Sequence, residues 1–191
     1  WAGVTATNRE GAVELTNYLL GLGHRRIGFI TGRIYLSSAR ERLEGFRATL
    51  AAAGIPLDPS LIEEGHYDQE SGLAAARRLL AHPARPTAIM ASNDQEAFGV
   101  LTAARESGLR VPEDLSVVGF DDVPMAEHVH PPLTTVHQPL TEIGRSAAGM
   151  LINWVEGVPP EPRRIVLPTK LMIRGSCAAP SVNHREVAQE A

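Results

Sequence analysis

The sequence predicts an α/β fold, a parallel sheet with helices on both faces. Three observations predict it. Short apolar runs of strand length alternate with amphipathic helical stretches in the order α-β-α-β-α-β-α-β. The units recur at roughly 30 residues, the length of a strand plus a crossover helix. Hydrophobic residues make up 43% of the 191, the proportion of a chain that can bury a core.

Each element has a local reason. Residues 1–7, beginning at Trp1, read as a linker or partial strand. Thr7-x-x-Glu10 is a capping-box pattern for a first helix with Val13, Leu15, Tyr18, Leu19 and Leu22 on its apolar face; Gly21 and Gly23 close it. Ile27–Ile30 is a buried strand. Ser38-x-x-Glu41 is a second capping-box pattern, for a helix with Leu43, Phe46, Leu50 and Ala53 inward, ended by Gly54 and Pro56. Leu61-Ile62 is a short strand running into Gly65-His66-Tyr67, and a helix spans about Asp68 to Leu80. Ala88–Ala91 is the third strand. It breaks at Ser92-Asn93-Asp94, residues that cap helices, and Ala97, Val100, Leu101 and Ala104 form the stripe of the next helix. Leu115–Phe120 is the fourth strand and ends in Asp121-Asp122.

Beyond Asp122 the pattern changes. Val123–His130 is a loop or short helix, and the prolines of Pro131–Val136 favour an extended chain. Pro139 can open a last helix, Leu140 to Glu156, with Ile143, Ala147, Met150, Leu151 and Trp154 inward. Arg164–Ile173 reads as one or two strand pieces broken by Pro168, and residues 177–191 as a loose tail.

Composition narrows the function. Net charge is −4 and aromatics are 5%, which argues against nucleic-acid binding by these residues themselves. The one cysteine, Cys177, rules out an internal disulfide and a cysteine metal cluster. No apolar run reaches transmembrane length and no signal pattern opens the sequence, so a cytoplasmic protein is expected, although Trp1 implies a processed or truncated product. The seven histidines show no metal-binding spacing, and there is no nucleophile elbow or glycine-rich phosphate loop. No cofactor, metal or catalytic residue is expected. A hydrolytic reading would need a metal at Asp121-Asp122, whose adjacent side chains diverge.

The four strands each deliver polar or aromatic groups at their carboxyl ends, where ligands bind in such sheets. The first leads to Arg40 and Arg42, the second to His66 and Tyr67, the third to Ser92, Asn93 and Asp94, the fourth to Asp121 and Asp122. A guanidinium, an aromatic ring, an amide and a carboxylate on one rim suit a small hydroxyl-rich ligand. Each has a plainer alternative. Arg42 could pair with Glu64 or Glu70 on the surface, Tyr67 could be a core ring, Asn93 only a cap, and either aspartate only a turn residue.

The runs G-H-R-R-I-G-F-I (Gly23–Ile30), S-A-R-E-R-L-E-G-F (Ser38–Phe46), P-T-A-I-M-A-S-N-D-Q-E-A-F-G (Pro86–Gly99), V-P-E-D-L-S-V-V-G-F-D-D (Val111–Asp122) and P-P-L-T-T-V-H-Q-P (Pro131–Pro139) resemble the LacI/GalR family of bacterial transcription regulators. The resemblance covers nearly all of residues 8–176. It implies a periplasmic-binding-protein-like (type I) effector fold of two α/β subdomains around a cleft. Residues 8–137 would be most of the carboxyl-terminal subdomain, 138–160 a crossover helix belonging to the other subdomain, and 161–176 a returning strand. The DNA-gripping helix-turn-helix and most of the amino-terminal subdomain are absent from these residues. By the resemblance, Arg42, Tyr67, Asn93, Asp121 and Leu140 contact a small-molecule effector, most commonly a sugar. Phe98, Val100, Leu101, Arg105, Met125 and Val129 would form a homodimer seam, which an exposed Phe98 would fit, with a core place for Phe98 as the alternative, and operator DNA would be bound only through the absent domain. Periplasmic sugar-binding proteins share the N-D-x-x-A-x-G and G-F-D-D pieces, so a transport protein is the alternative.

Overall fold

The computed structural model describes residues 2–159 and 161–181. The predicted order of elements is present. Strand β1 (Gly3–Ala6) and helix α1 (Asn8–Gly21) precede β2 (Ile27–Thr31), α2 (Ser37–Ala52), β3 (Ile62–Glu64) and α3 (Gln69–Leu80). Then come β4 (Ala88–Ala91), α4 (Asp94–Glu106) and β5 (Ser116–Val118). The central sheet is four-stranded and parallel, in the order β3-β2-β4-β5.

Alternating side chains of these strands feed two cores, because successive residues of a strand point to opposite faces. Ile27, Phe29, Ala88, Met90 and Val118 pack with Leu15, Leu19, Phe46 and Leu50 of α1 and α2. Ile30, Ile89, Ala91 and Val117 pack with Ala75, Leu79, Val100 and Ala104 of α3 and α4. Helices therefore cover both faces of the sheet, as its apolar strands require.

After β5, a 3-10 turn (Pro124–Glu127) leads to β6 (Thr135–His137), which extends the sheet edge through parallel bridges Val118–Thr134 and Asp121–His137. Helix α5 (Leu140–Val155) follows, then β7 (Arg164–Leu167), parallel to β1, and β8 (Lys170–Met172), antiparallel to β6.

Four local expectations are corrected. Neither capping box forms. The Thr7 hydroxyl is taken by Thr169, at 2.9 Å from its hydroxyl and 2.8 Å from its amide, and α2 starts at Ser37 with the Ser38 hydroxyl 3.3 Å from that of Tyr67. Tertiary partners outbid the local caps. Helix α5 lies along β1 but buries none of its residues: Leu151 is 63% and Trp154 58% exposed. Its apolar stripe is only partly covered: Ile143 and Met150 are half-buried, while Leu151 and Trp154 stay exposed. The tail begins later than residue 177, because Ala178 is held by its amide to Ser116 Oγ (3.1 Å) and by its carbonyl to His24 and Ser116. Trp1 and residues 182–191 lie outside the described residues.

His24 is the residue that sequence reading missed. It is fully buried, with Nδ1 2.8 Å from Thr87 Oγ1 and Nε2 3.0 Å from Ser116 Oγ and 2.9 Å from the Ala178 carbonyl. Burial pushes its pKa down. Its partners lie far away in sequence, so no local pattern could have flagged it.

Candidate functional site

The chain leaves β2 for β3 on one side and returns through β4 on the other. The crevice between the carboxyl ends of β2 and β4 is therefore the topological switch point of the sheet, where such folds bind ligands. Arg42, six residues into α2, fills this crevice and is 3% exposed. Its Nε donates to Asn8 Oδ1 at 3.0 Å and its Nη1 to the carbonyl of Ser92, at the end of β4. Its Nη2 lies 3.6 Å from Asp121 Oδ1, and its guanidinium stacks 3.8 Å over the Phe120 ring. The surface pairings with Glu64 or Glu70 do not form; a buried guanidinium needs a counter-charge at hand, and Asp121 supplies it.

Asp121 sits just past β5 in the left-handed region, φ 115°. Its backbone is held by β6: its amide donates to the Val136 carbonyl at 2.8 Å, and its own carbonyl accepts from the Gln138 amide at 3.2 Å. Gln138 Nε2 also donates to Oδ1 at 2.6 Å. Burial pushes the Asp121 carboxyl up, while Arg42 and Gln138 pull it down. Both address Oδ1; among the described residues Oδ2 has no hydrogen-bond partner and can accept from a ligand hydroxyl. Asp122 diverges from its neighbour, as expected. It pairs with Arg174 at 2.7 Å and with His137 Nδ1 at 3.0 Å, so it fastens β6 and the chain after β8.

Tyr67 and Asn93 meet at the same rim. Tyr67 is half-buried at φ 69°, and its ring covers Gly32 so closely that any Cβ there would collide with it. Asn93 is both the cap and a rim residue. Its Oδ1 accepts from the Glu96 amide at 2.9 Å, capping α4, while Nδ2 donates to the Tyr67 carbonyl at 3.1 Å. Leu140, the first residue of α5, is exposed, two residues beyond Gln138. The structure thus brings Arg42, Asp121, Asn93 and Tyr67 together through direct or shared contacts, and adds Asn8, Gln138 and Phe120.

The residues expected at a dimer seam divide. Val100 has no exposed surface and belongs to the core between α4 and the sheet, so it cannot touch a partner. Phe98 is 8% exposed and packs in the same core, which takes the core alternative over the exposed seam position. Leu101 and Val129 are half-buried, and Arg105 and Met125 exposed. Among the described residues, no group of three or more His, Cys, Asp or Glu is placed to hold a metal ion. No helix among them is long and apolar enough to cross a membrane. A concavity of about 570 Å³ lies beside α2, between Ile34, Arg40, Leu43 and Arg47; the Arg42–Asp121 pair is not in its lining.

A doubly covered parallel sheet with a charged, hydrogen-bonded rim at its switch point is the arrangement found in small-ligand-binding α/β domains. Residues 16–177 match the family of periplasmic binding protein-like domains. The transcriptional regulator CelR of Thermobifida fusca is 42% identical over 173 residues, 91% of this chain and 51% of the relative. The ribose operon repressor of Escherichia coli K12 is 41% identical over 161 residues, 84% of this chain and 49% of the repressor. A solved CelR–cellobiose complex superposes with a TM-score of 0.86, covering 91% of this chain and 53% of that one. The chain belongs to the periplasmic binding protein-like domain family, and LacI-family regulators are among its relatives. It spans about half the length of the curated relatives it matches.

Proposed function

We propose that this chain is the sensor for a sugar or similar small metabolite in a cytoplasmic LacI-family regulator, without enzymatic activity of its own. Effector binding at the rim changes the protein's affinity for operator DNA, which is gripped by a further domain of the kind that LacI-family regulators carry. The observation that supports this reading best is the buried Arg42–Asp121 pair at the switch point, with Asn93 and Tyr67 beside it. A carboxylate oxygen, an amide and a ring together can satisfy a sugar's hydroxyls and cover its apolar face. The relatives named are regulators, one of them solved with cellobiose, and this favours regulation over transport.

Residues 138–160 would cross to a second subdomain that closes the cleft over Leu140 and packs on the exposed stripe of α5. Leu101, Arg105, Met125 and Val129 would form a homodimer seam. Ligand can shift operator affinity only by its differential affinity for the two subdomain arrangements. The test is calorimetric titration of the intact protein with a sugar panel that includes cellobiose and ribose, repeated with Asp121→Ala and Arg42→Ala. A bound sugar should lose at least about tenfold in affinity in each variant, the worth of one charged hydrogen bond. Binding that neither substitution weakens overturns the site.

A further inference from the structure

Glu96 is a buried carboxyl group that the rim just described does not use as a ligand contact. It stands in the first turn of α4 with no exposed surface. Its Oε1 accepts from the Tyr67 amide at 2.8 Å. Oε2 is buried and, among the described residues, has no hydrogen-bond partner. Tyr67 is thus gripped on both sides by the first turn of α4: Glu96 takes its N–H and Asn93 its C=O. The gripped residue is a non-glycine at φ 69°, a conformation that persists only where the surroundings impose it. The ring that follows from this backbone covers Gly32, and its hydroxyl lies 3.3 Å from Ser38 Oγ on α2, the helix that carries Arg42. Space for the clamp is made by two further glycines. A Cβ at Gly65 would collide with Glu96 Oε1, and one at Gly72 with the Glu96 backbone.

We propose that Glu96 is a positioning residue that, through the backbone of Tyr67, fixes the Tyr67 ring on the effector rim without touching the effector. Its importance for affinity rests on the sugar-sensing reading above; its hold on the ring does not. Burial raises the Glu96 carboxyl to about 8, so near neutral pH it is mostly the neutral acid. The groups that face it are Arg42 from α2 and the amides of Tyr67, Ser92 and Asn93. Tyr67, whose own hydroxyl is pushed above its usual range by burial, faces it in turn. Raising the pH through 8 places a charge beneath Tyr67 and alters the clamp.

The experiment uses the intact protein labelled with fluorotyrosine. The Tyr67 resonance is assigned with Tyr67→Phe and separated from Tyr18 and Tyr35. Glu96→Met, which keeps volume but removes the acceptor, should shift or broaden the Tyr67 signal and leave Tyr18 in place. Glu96→Gln, which keeps an acceptor, should preserve it. In the wild type the Tyr67 backbone amide resonance, read by nitrogen-15 labelling because that amide donates to Glu96 Oε1, should titrate near pH 8, and in Glu96→Gln that step should vanish. A Tyr67 signal indifferent to Glu96→Met, or a titration that survives Glu96→Gln, overturns the proposal; if Glu96→Met does not fold, the titration decides alone. Cellobiose titrations separate the two readings. If the wild type binds it, Glu96→Met should weaken binding about tenfold or more and Glu96→Gln less than about threefold, and equal affinities in all three refute the positioning role. If the wild type does not bind it, the cellobiose assignment fails while the resonance data still decide whether Glu96 holds the ring.

Discussion

Replacing Arg42 by methionine removes the centre of the rim's polar network while filling most of its volume. The guanidinium makes two hydrogen bonds, to Asn8 and Ser92, an ion pair at 3.6 Å with Asp121, and a stack on Phe120. Breaking a buried pair by removing one partner costs about 3–5 kcal/mol, because the other charge stays behind unpaired. The Asp121 side chain is 21% exposed, so water recovers part of this and about 3 kcal/mol is expected. Asp121→Asn keeps an oxygen for Gln138 but leaves the buried Arg42 without its counter-charge, and should likewise cost about 3 kcal/mol. The double variant leaves no orphaned charge, so its cost should fall below the sum of the single costs by at least about 1 kcal/mol. Urea denaturation at pH 7, with midpoints read at a common slope, measures all three. The pair also has a pH signature. Without Arg42 the Asp121 carboxyl loses the charge that pulls it down. Protonating it then relieves the burial, and the cost of Arg42→Met should be smaller at pH 5 than at pH 8. A cost below about 1 kcal/mol, or single costs that add within about 0.5 kcal/mol, would refute the view of Arg42 and Asp121 as one buried unit.

Two carboxyls of α4 contribute to the pH dependence of stability: burial raises Asp94 to about 7 and Glu96 to about 8. The folded state therefore holds protons that the unfolded chain releases near pH 4, so the contribution of these two groups is most favourable below that and is lost as pH rises to about 8. Glu96→Gln should remove roughly 3–5 kcal/mol of that slope, read as Tm or urea midpoint from pH 4 to 8. His24→Ala leaves Thr87, Ser116 and the Ala178 carbonyl short of a partner; we expect a loss of about 2–4 kcal/mol and faster hydrogen exchange at Ala178. Met125→Glu together with Leu101→Glu should shift sedimentation toward monomer. Val100→Ala, a core change, should cost about 1–3 kcal/mol without changing the assembly state.

The fold was legible because its signals are local. Apolar runs such as Ala88–Ala91 and the stripes of α1 to α4 follow the strand and helix periods, and the four strands form the expected parallel sheet. The rim was legible for a related reason, since a strand's carboxyl end can be read from where the apolar run stops. What stayed hidden needed the third dimension. Thr7 and Ser38 looked like caps because their sequence windows do not contain Thr169 or Tyr67, the partners that claim them. Val100 and Leu101 are neighbours in a plausible seam, but helical geometry turns Val100 fully into the core and leaves Leu101 half-buried. Nor could the sequence say whether Arg42 pairs at the surface or within. That depends on β6 bringing Gln138 and holding Asp121 at φ 115°.

The first turn of α4 joins these threads. Asn93, Asp94 and Glu96 occupy three of four consecutive positions, yet their side chains reach opposite sides of the rim. Glu96 and Asn93 grip Tyr67 on the β3 side. Asp94 accepts from the Val123 amide at 2.8 Å and from Thr135 Oγ1 at 2.6 Å, tying down the chain on either side of the 3-10 turn next to Asp121. Burying two carboxyls is unfavourable, as their raised pKa values record. Both are spent on fixing backbone that a loop would otherwise leave free, since Tyr67, Asp121 and Asp122 all lie at positive φ. On the proposed reading, an effector meeting the rim would find its aromatic wall and its carboxylate already placed, and the ordering cost of binding would be reduced. The same helix carries Leu101 and Arg105, so any partner seated there would bear on the element that holds both walls of the rim in place.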